Sequence, residues 1–174
     1  MPAVQGAESV AANAGILIRS AEHLAVPITV TEQYPKGLGH TVAEVAARLP
    51  ESAAILPKTA FSGAGESAVA LRIAGLRAEG RDQAILCGAE AHVCVLQTAL
   101  GLRAEGMTVF VVADAVSSRS PHSVAAAEAR LVQAGCVWVT TEMVVFEWLE
   151  RAGTEEFRAL APLIRETPPR LPPR

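Results

Sequence analysis

The chain has 174 residues, 51% of them apolar, and a mean hydropathy of +0.30, which excludes disorder along its length and implies one domain with a sizeable core. A net charge of −3 with no cluster of Lys and Arg argues against nucleic acid or an anionic membrane as partner. No apolar run approaches the roughly 20 residues that span a bilayer, and the start MPAVQGAESV lacks the basic flank and apolar stretch of a secretion signal, so a cytoplasmic location is expected.

In chain order the hydrophobic pattern predicts a helix near 7–24, a strand at 26–32 (VPITVTE), a helix at 41–49 and a strand at 53–58 (AAILPK). A helix at 66–79, a strand at 83–88 (QAILCG), a helix at 93–105 and a strand at 108–114 (TVFVVAD) follow. The last elements are a helix at 123–134, a strand at 136–140 (CVWVT) and helices at 142–152 and 154–164. Near-continuous apolar strands alternating with helices point to an α/β domain with a doubly wound parallel sheet between two helical layers. The domain is expected over residues 1–165. Residues 166–174 (ETPPRLPPR), with four prolines in nine positions, read as a poorly ordered tail.

In such sheets ligands gather where loops leave the carboxyl ends of the strands. Here those loops are Glu32 to Gly39, Lys58 to Gly63, Gly88 to Cys94 and Asp114 to Arg119. Cys94 opens a helical stretch directly after a strand. A thiol there faces unpaired backbone N–H groups and the positive end of the helix dipole, both of which favour the thiolate. The same N–H groups could hold an oxyanion. The alternative is a small apolar residue in the first turn of a buried helix. Lys58 stands out because the chain has only two lysines, Lys36 and Lys58, among 15 basic residues. A compact ammonium does what a planar guanidinium cannot, although a solvated loop lysine also fits the pattern.

Cys87 and Cys136 lie in apolar strands and read as packing residues. His92, two residues before Cys94, reads as a hydrogen-bonding or surface residue, because a Cys–His dyad normally draws its His from far along the chain. Asp114 reads as a loop cap. His23, His40 and His122 show no ligand spacing with carboxylates, and Gly37 and Gly39 lack the phosphate-loop pattern, so no metal and no cofactor is expected.

Three segments carry a family likeness. GAEAHVCVLQTALGLRAEGMTVFVVADAVSSR resembles the nucleophile segment of isochorismatase-like cysteine hydrolases, and VTEQYPKGLGHTVAE and LPKTAFSG resemble two upstream segments of the branch with isochorismatase-domain-containing proteins. The likeness runs over about residues 2–150. It implies a six-stranded parallel sheet and an Asp–Lys–Cys triad in which Cys94 is the nucleophile and Lys58 the lysine. It also implies a non-proline cis peptide between Ala89 and Glu90, an oxyanion site at Ala89, Glu90 and the N–H of Cys94, and a substrate pocket touched by Gln33 and Phe61. A small-molecule substrate and a homo-oligomer follow from the same likeness, the latter also from the apolar helix MVVFEWLERAG. The nicotinamidase branch's metal motif has no counterpart here.

The pattern departs at its start. The family's aspartate ends a first strand lying upstream of the segment that MPAVQGAESV resembles, and the only aspartates here, Asp82 and Asp114, are not placed to replace it. Five strands are legible against six in the family. The implied function is hydrolysis of a small amide or vinyl ether. The alternatives are a catalytically silent interaction module, favoured by the missing aspartate, and redox chemistry at Cys94, disfavoured by the absence of CxxC. A vacant central strand would leave two neighbours without ladder partners, so the natural chain is expected to begin about 15–25 residues earlier, a strand plus its flanks. A native intact mass of 18.2 kDa would defeat that expectation.

Overall fold

The computed structural model describes residues 4–166; residues 167–174 of the proline-rich tail lie outside it. Helix α1 (Ala7–His23) leads to β1 (Thr29–Gln33), the one-turn helices α2 (Pro35–Leu38) and α3 (Ala43–Ala46), β2 (Ala54–Lys58) and α4 (Ser67–Ala78). Strand β3 (Gln83–Ala89) runs through a π-helical turn (Ala91–Val95) into α5 (Leu96–Ala104). Then come β4 (Thr108–Ser117), α6 (Pro121–Gln133), β5 (Val137–Val139), α7 (Thr141–Leu149) and α8 (Glu155–Glu166). Each predicted strand is present within a few residues. The predicted helix at 41–49 is reduced to the single turn α3, and α2 has no counterpart in the prediction, because a Pro at its start and Gly39 at its end confine it to one turn.

All ladders are parallel, and β4 is the spine. Its residues alternate between two cores, as a period of two requires. Val109 and Val111 pack with Leu96, Ala99, Leu102 and Leu131 of α5 and α6. Phe110 and Val112 pack with Leu17 of α1, Val144 of α7 and Val139. Helix α1 buries Val10, Ala14, Leu17 and Ala21 at helical spacing, and α8 closes an outer layer through Leu160 and Ile164 against Ile16, Val145 and Leu149. Those contacts cover most of the apolar face of α7, the face that suggested an oligomer from sequence; Met143 and Phe146 stay exposed.

The five strands form two sheets among the described residues: β1 with β2, and β3 with β4 and β5. Gln33 at the end of β1 meets Cys94 just after β3, so the edges of β1 and β3 that lack a ladder partner flank the gap between the sheets. The gap explains a correction. Cys87 on β3 was expected to be buried, yet it is exposed to solvent, while the protein around it pushes its thiol up to about 11 through desolvation. Cys136 is buried, as expected.

The β1–β2 pair is thinly covered. Helix α4 buries only Val69 and leaves Leu71 76% exposed. What fastens this half near the site is the loop after β2, which docks on α5: Gly63 N–H donates to Thr98 Oγ1 at 2.7 Å and Ser62 Oγ donates to the Gln97 carbonyl at 3.2 Å. The approach needs Gly101, where a Cβ would lie 2.8 Å from Ala64 Cβ and 3.2 Å from Ser62 Oγ. Neither neighbour is a long flexible side chain that could swing aside. Gly101→Ala should therefore destabilise by about 1–3 kcal/mol despite alanine's better helix propensity; an unchanged or raised Tm would contradict this docking.

Candidate functional site

The site is assembled at the carboxyl ends of β1, β2 and β3. In the parallel ladder Gln33 is the register partner of Lys58, which sets the two side chains beside each other. Lys58 is only 4% exposed. Its ammonium donates to Gln33 Oε1, to the Ala60 carbonyl at 3.0 Å and to the Phe61 carbonyl at 3.0 Å. Among the described residues no carboxylate bonds to it. Gln33 Nε2 donates to the Thr59 carbonyl at 2.8 Å, which fixes the amide so that its oxygen faces inward. The Cys94 thiol donates to that same oxygen at 3.8 Å. One amide oxygen therefore joins the buried cation to the half-buried thiol.

Cys94 stands in the turn Ala91–Val95, which continues into α5 as one helix. The turn is wide: Val95 N–H reaches the Glu90 carbonyl, five residues back, at 3.3 Å. The peptide between Ala89 and Glu90 is cis. The turn is tied to the loop after β4 by Arg119, whose Nε donates to Glu90 Oε2 at 2.9 Å, and by the contact of His92 Nδ1 with Ser118 Oγ at 3.0 Å. His92 thus braces two loops and makes no hydrogen bond to Cys94. Asp114 is buried and accepts from Thr141 N–H at 2.8 Å and Thr141 Oγ1 at 2.9 Å. It caps the start of α7 and belongs to the scaffold. Phe61 offers its carbonyl to Lys58, and the residue is 55% exposed.

Glu32 is the site-proximal residue that sequence reading passed over. It lies beside Gln33 and accepts from Thr41 N–H and Thr41 Oγ1, each at 2.7 Å, while its other oxygen meets His40 Nδ1 at 2.8 Å. This closes the segment 34–39, which carries exposed Tyr34 and Leu38, into a loop. The Thr41 backbone N–H, then its hydroxyl, then His40 lower the carboxyl from 4.5 to about 2. Nine positions separate Glu32 from Thr41 across Pro and Gly, so no local period announces the pair.

Among the described residues no cluster of three or more His, Cys, Asp or Glu side chains could hold a metal ion, and no helix is long and apolar enough to cross a membrane. Comparison with known proteins matches residues 1–143 to the isochorismatase domain family. Isochorismatase domain-containing protein 2 of Danio rerio is 40% identical over 162 residues, covering 92% of this chain and 79% of that protein. Among solved structures, the MAR1 ribonuclease from Caenorhabditis elegans superposes with a TM-score of 0.89 at 35% identity, covering 99% of this chain and 88% of that one. The YcaC gene product of Escherichia coli, described as an octameric hydrolase of unknown specificity, gives 0.82 at 26% identity over 93% and 78% of the two chains.

Because the folded state lowers the Glu32 carboxyl, its contribution to stability is full above the ordinary carboxylate range and fades as pH falls from about 4.5 to about 2. The Tm difference between the wild type and Glu32→Gln should be largest at neutral pH and shrink across that window. A difference independent of pH would show that the carboxylate's charge is not what holds the loop.

Proposed function

The chain belongs to the isochorismatase domain family, and from that premise we propose that it is a cytoplasmic, cysteine-dependent hydrolase of a small amide or vinyl-ether substrate, with Cys94 as nucleophile and Lys58 beside it. The observation that carries this reading is the shared Gln33 oxygen, which receives both the Lys58 ammonium and the Cys94 thiol. A buried ammonium solvated only by neutral oxygens is a strong attractor for a negative charge. A sulfur ionised at that point would meet it.

In the amide version the thiol proton leaves to a base and the sulfur attacks the substrate carbonyl. The developing oxyanion is received by backbone N–H groups of the turn after the Ala89–Glu90 peptide, that of Cys94 among them. The C–N bond then breaks, the amine leaves with a proton, and water releases the acyl group from the sulfur. Gln33 and Phe61 line the pocket. A vinyl-ether substrate need not pass through an acyl-enzyme. Neither the protonated Lys58 nor the amide of Gln33 can take the thiol proton. The acceptor's place in this reading is the gap between β1 and β3, where the family resemblance puts a strand ending in aspartate. The ribonuclease designation of the Caenorhabditis elegans protein is not carried over, since a chain of net charge −3 is a poor match for a phosphate backbone. Homo-oligomerisation is proposed by analogy with the octameric Escherichia coli relative.

The silent-module alternative is favoured by one observation: among the described residues no carboxylate hydrogen-bonds Cys94 or Lys58. Thiol chemistry separates the two, because in a silent module Cys94 would react with iodoacetamide no faster than free cysteine. Against a panel of small amides and vinyl ethers, Cys94→Ala should lower turnover by about 10³-fold or more, while Cys87→Ala should leave it close to wild type. Equal loss from both replacements would assign the effect to folding and remove the case for Cys94.

A further inference from the structure

We propose that Glu66 is a positioning residue for Lys58: its carboxylate fixes the peptide segment whose carbonyls hold the ammonium, and so sets where the cation stands relative to Cys94. The inference rests on the reading that Lys58 activates Cys94, and it extends that reading to a residue outside the reacting groups.

Glu66 occupies the residue before α4, where a side chain usually caps the helix that follows. It makes no such cap. Instead its Oε2 reaches back to accept from Thr59 N–H at 2.9 Å and Ala60 N–H at 3.3 Å. These two donors begin the segment that supplies the cradle. The Thr59 carbonyl orients the Gln33 amide, and the Ala60 and Phe61 carbonyls receive the Lys58 ammonium. The anchors on α5 hold the far half of the loop at Ser62 and Gly63; Glu66 holds the near half, and the cradle carbonyls lie between the two anchorages. With its carbonyls turned to one cation, this short backbone presents its N–H groups on the other side, where an acceptor that engages them holds the segment in that conformation. The Glu66 carboxyl does that and is itself lowered from its ordinary value, first by the Thr59 N–H, then by the Ala60 N–H, with a smaller contribution from the charge of Lys58.

The test is the rate of iodoacetamide labelling at each cysteine, read by peptide mass spectrometry on the full chain, with buried Cys136 as an internal report of unfolding. Glu66→Ala should slow labelling of Cys94 by about three- to tenfold and leave Cys136 protected. Glu66→Gln, which keeps an acceptor oxygen, should stay within about twofold of wild type. If Glu66→Ala exposes Cys136, Glu66→Asp, which withdraws the carboxylate by one methylene, takes its place with the same expectation. Lys58→Met should slow Cys94 at least as much as the Glu66 change. A slow Lys58→Met with an unaffected Glu66→Ala would overturn this proposal alone. An unaffected Lys58→Met would overturn the activating role of Lys58 itself, and with it both readings. Equal slowing by Gln and Ala would show that the acceptor oxygen is not what holds the cradle, which also overturns the proposal.

Discussion

The arrangement at the strand ends depends on how one buried ammonium is solvated. Lys58 has almost no access to water, and a charge in that position must be surrounded by oxygens or the fold loses several kcal/mol. The oxygens come from a side chain on the neighbouring strand and from two consecutive carbonyls of its own loop. That requirement bends the loop after β2, orients Gln33, and brings the end of β1 to Cys94. Because none of the three oxygens carries a full charge, the cation keeps a net attraction for an anion.

The scaffold around it is uneven. Strand β4 is buried on both faces and joins two cores, so packing on both sides holds the middle of the β3–β4–β5 half in place. The β1–β2 half shares no ladder with it among the described residues and is held to it near the site by polar contacts: Gly63 on Thr98, Ser62 on Gln97, Cys94 on Gln33. The three side chains that meet at the Gln33 oxygen are therefore divided between a firmly packed half that carries Cys94 and a lightly packed half that carries Lys58 and Gln33. Their relative position is set by loops and by the close passage at Gly101.

The carboxylates near the site share one task. Glu32 receives the Thr41 N–H, Glu66 those of Thr59 and Ala60, Glu90 that of Arg119, and Asp114 that of Thr141. Each solvates backbone that no ladder or helix satisfies, which is how irregular loops are kept in one conformation. None is free to serve as a base for the thiol.

The strands and most helices were legible in the sequence, because burial on both faces writes a continuous apolar run into β4, β3 carries a similar run, and one buried face writes helical spacing into α1. Cys94 and Lys58 stood out as candidates, one from its place between a strand and a helix, the other from its rarity among arginines, and the structure brings both to one amide oxygen. Glu32 and Glu66 did not stand out, since their partners lie six to nine residues away across turns of no fixed period and both look like ordinary surface acids. The exposure of Cys87 was equally hidden: AILCGA reads as buried whether or not a strand lies beside it. Sequence determines which residues are apolar and which can react, through patterns that local geometry repeats. Only the tertiary structure decides which oxygens surround a charge and which edges stay unpaired, because those depend on segments that meet in space without any regular spacing along the chain.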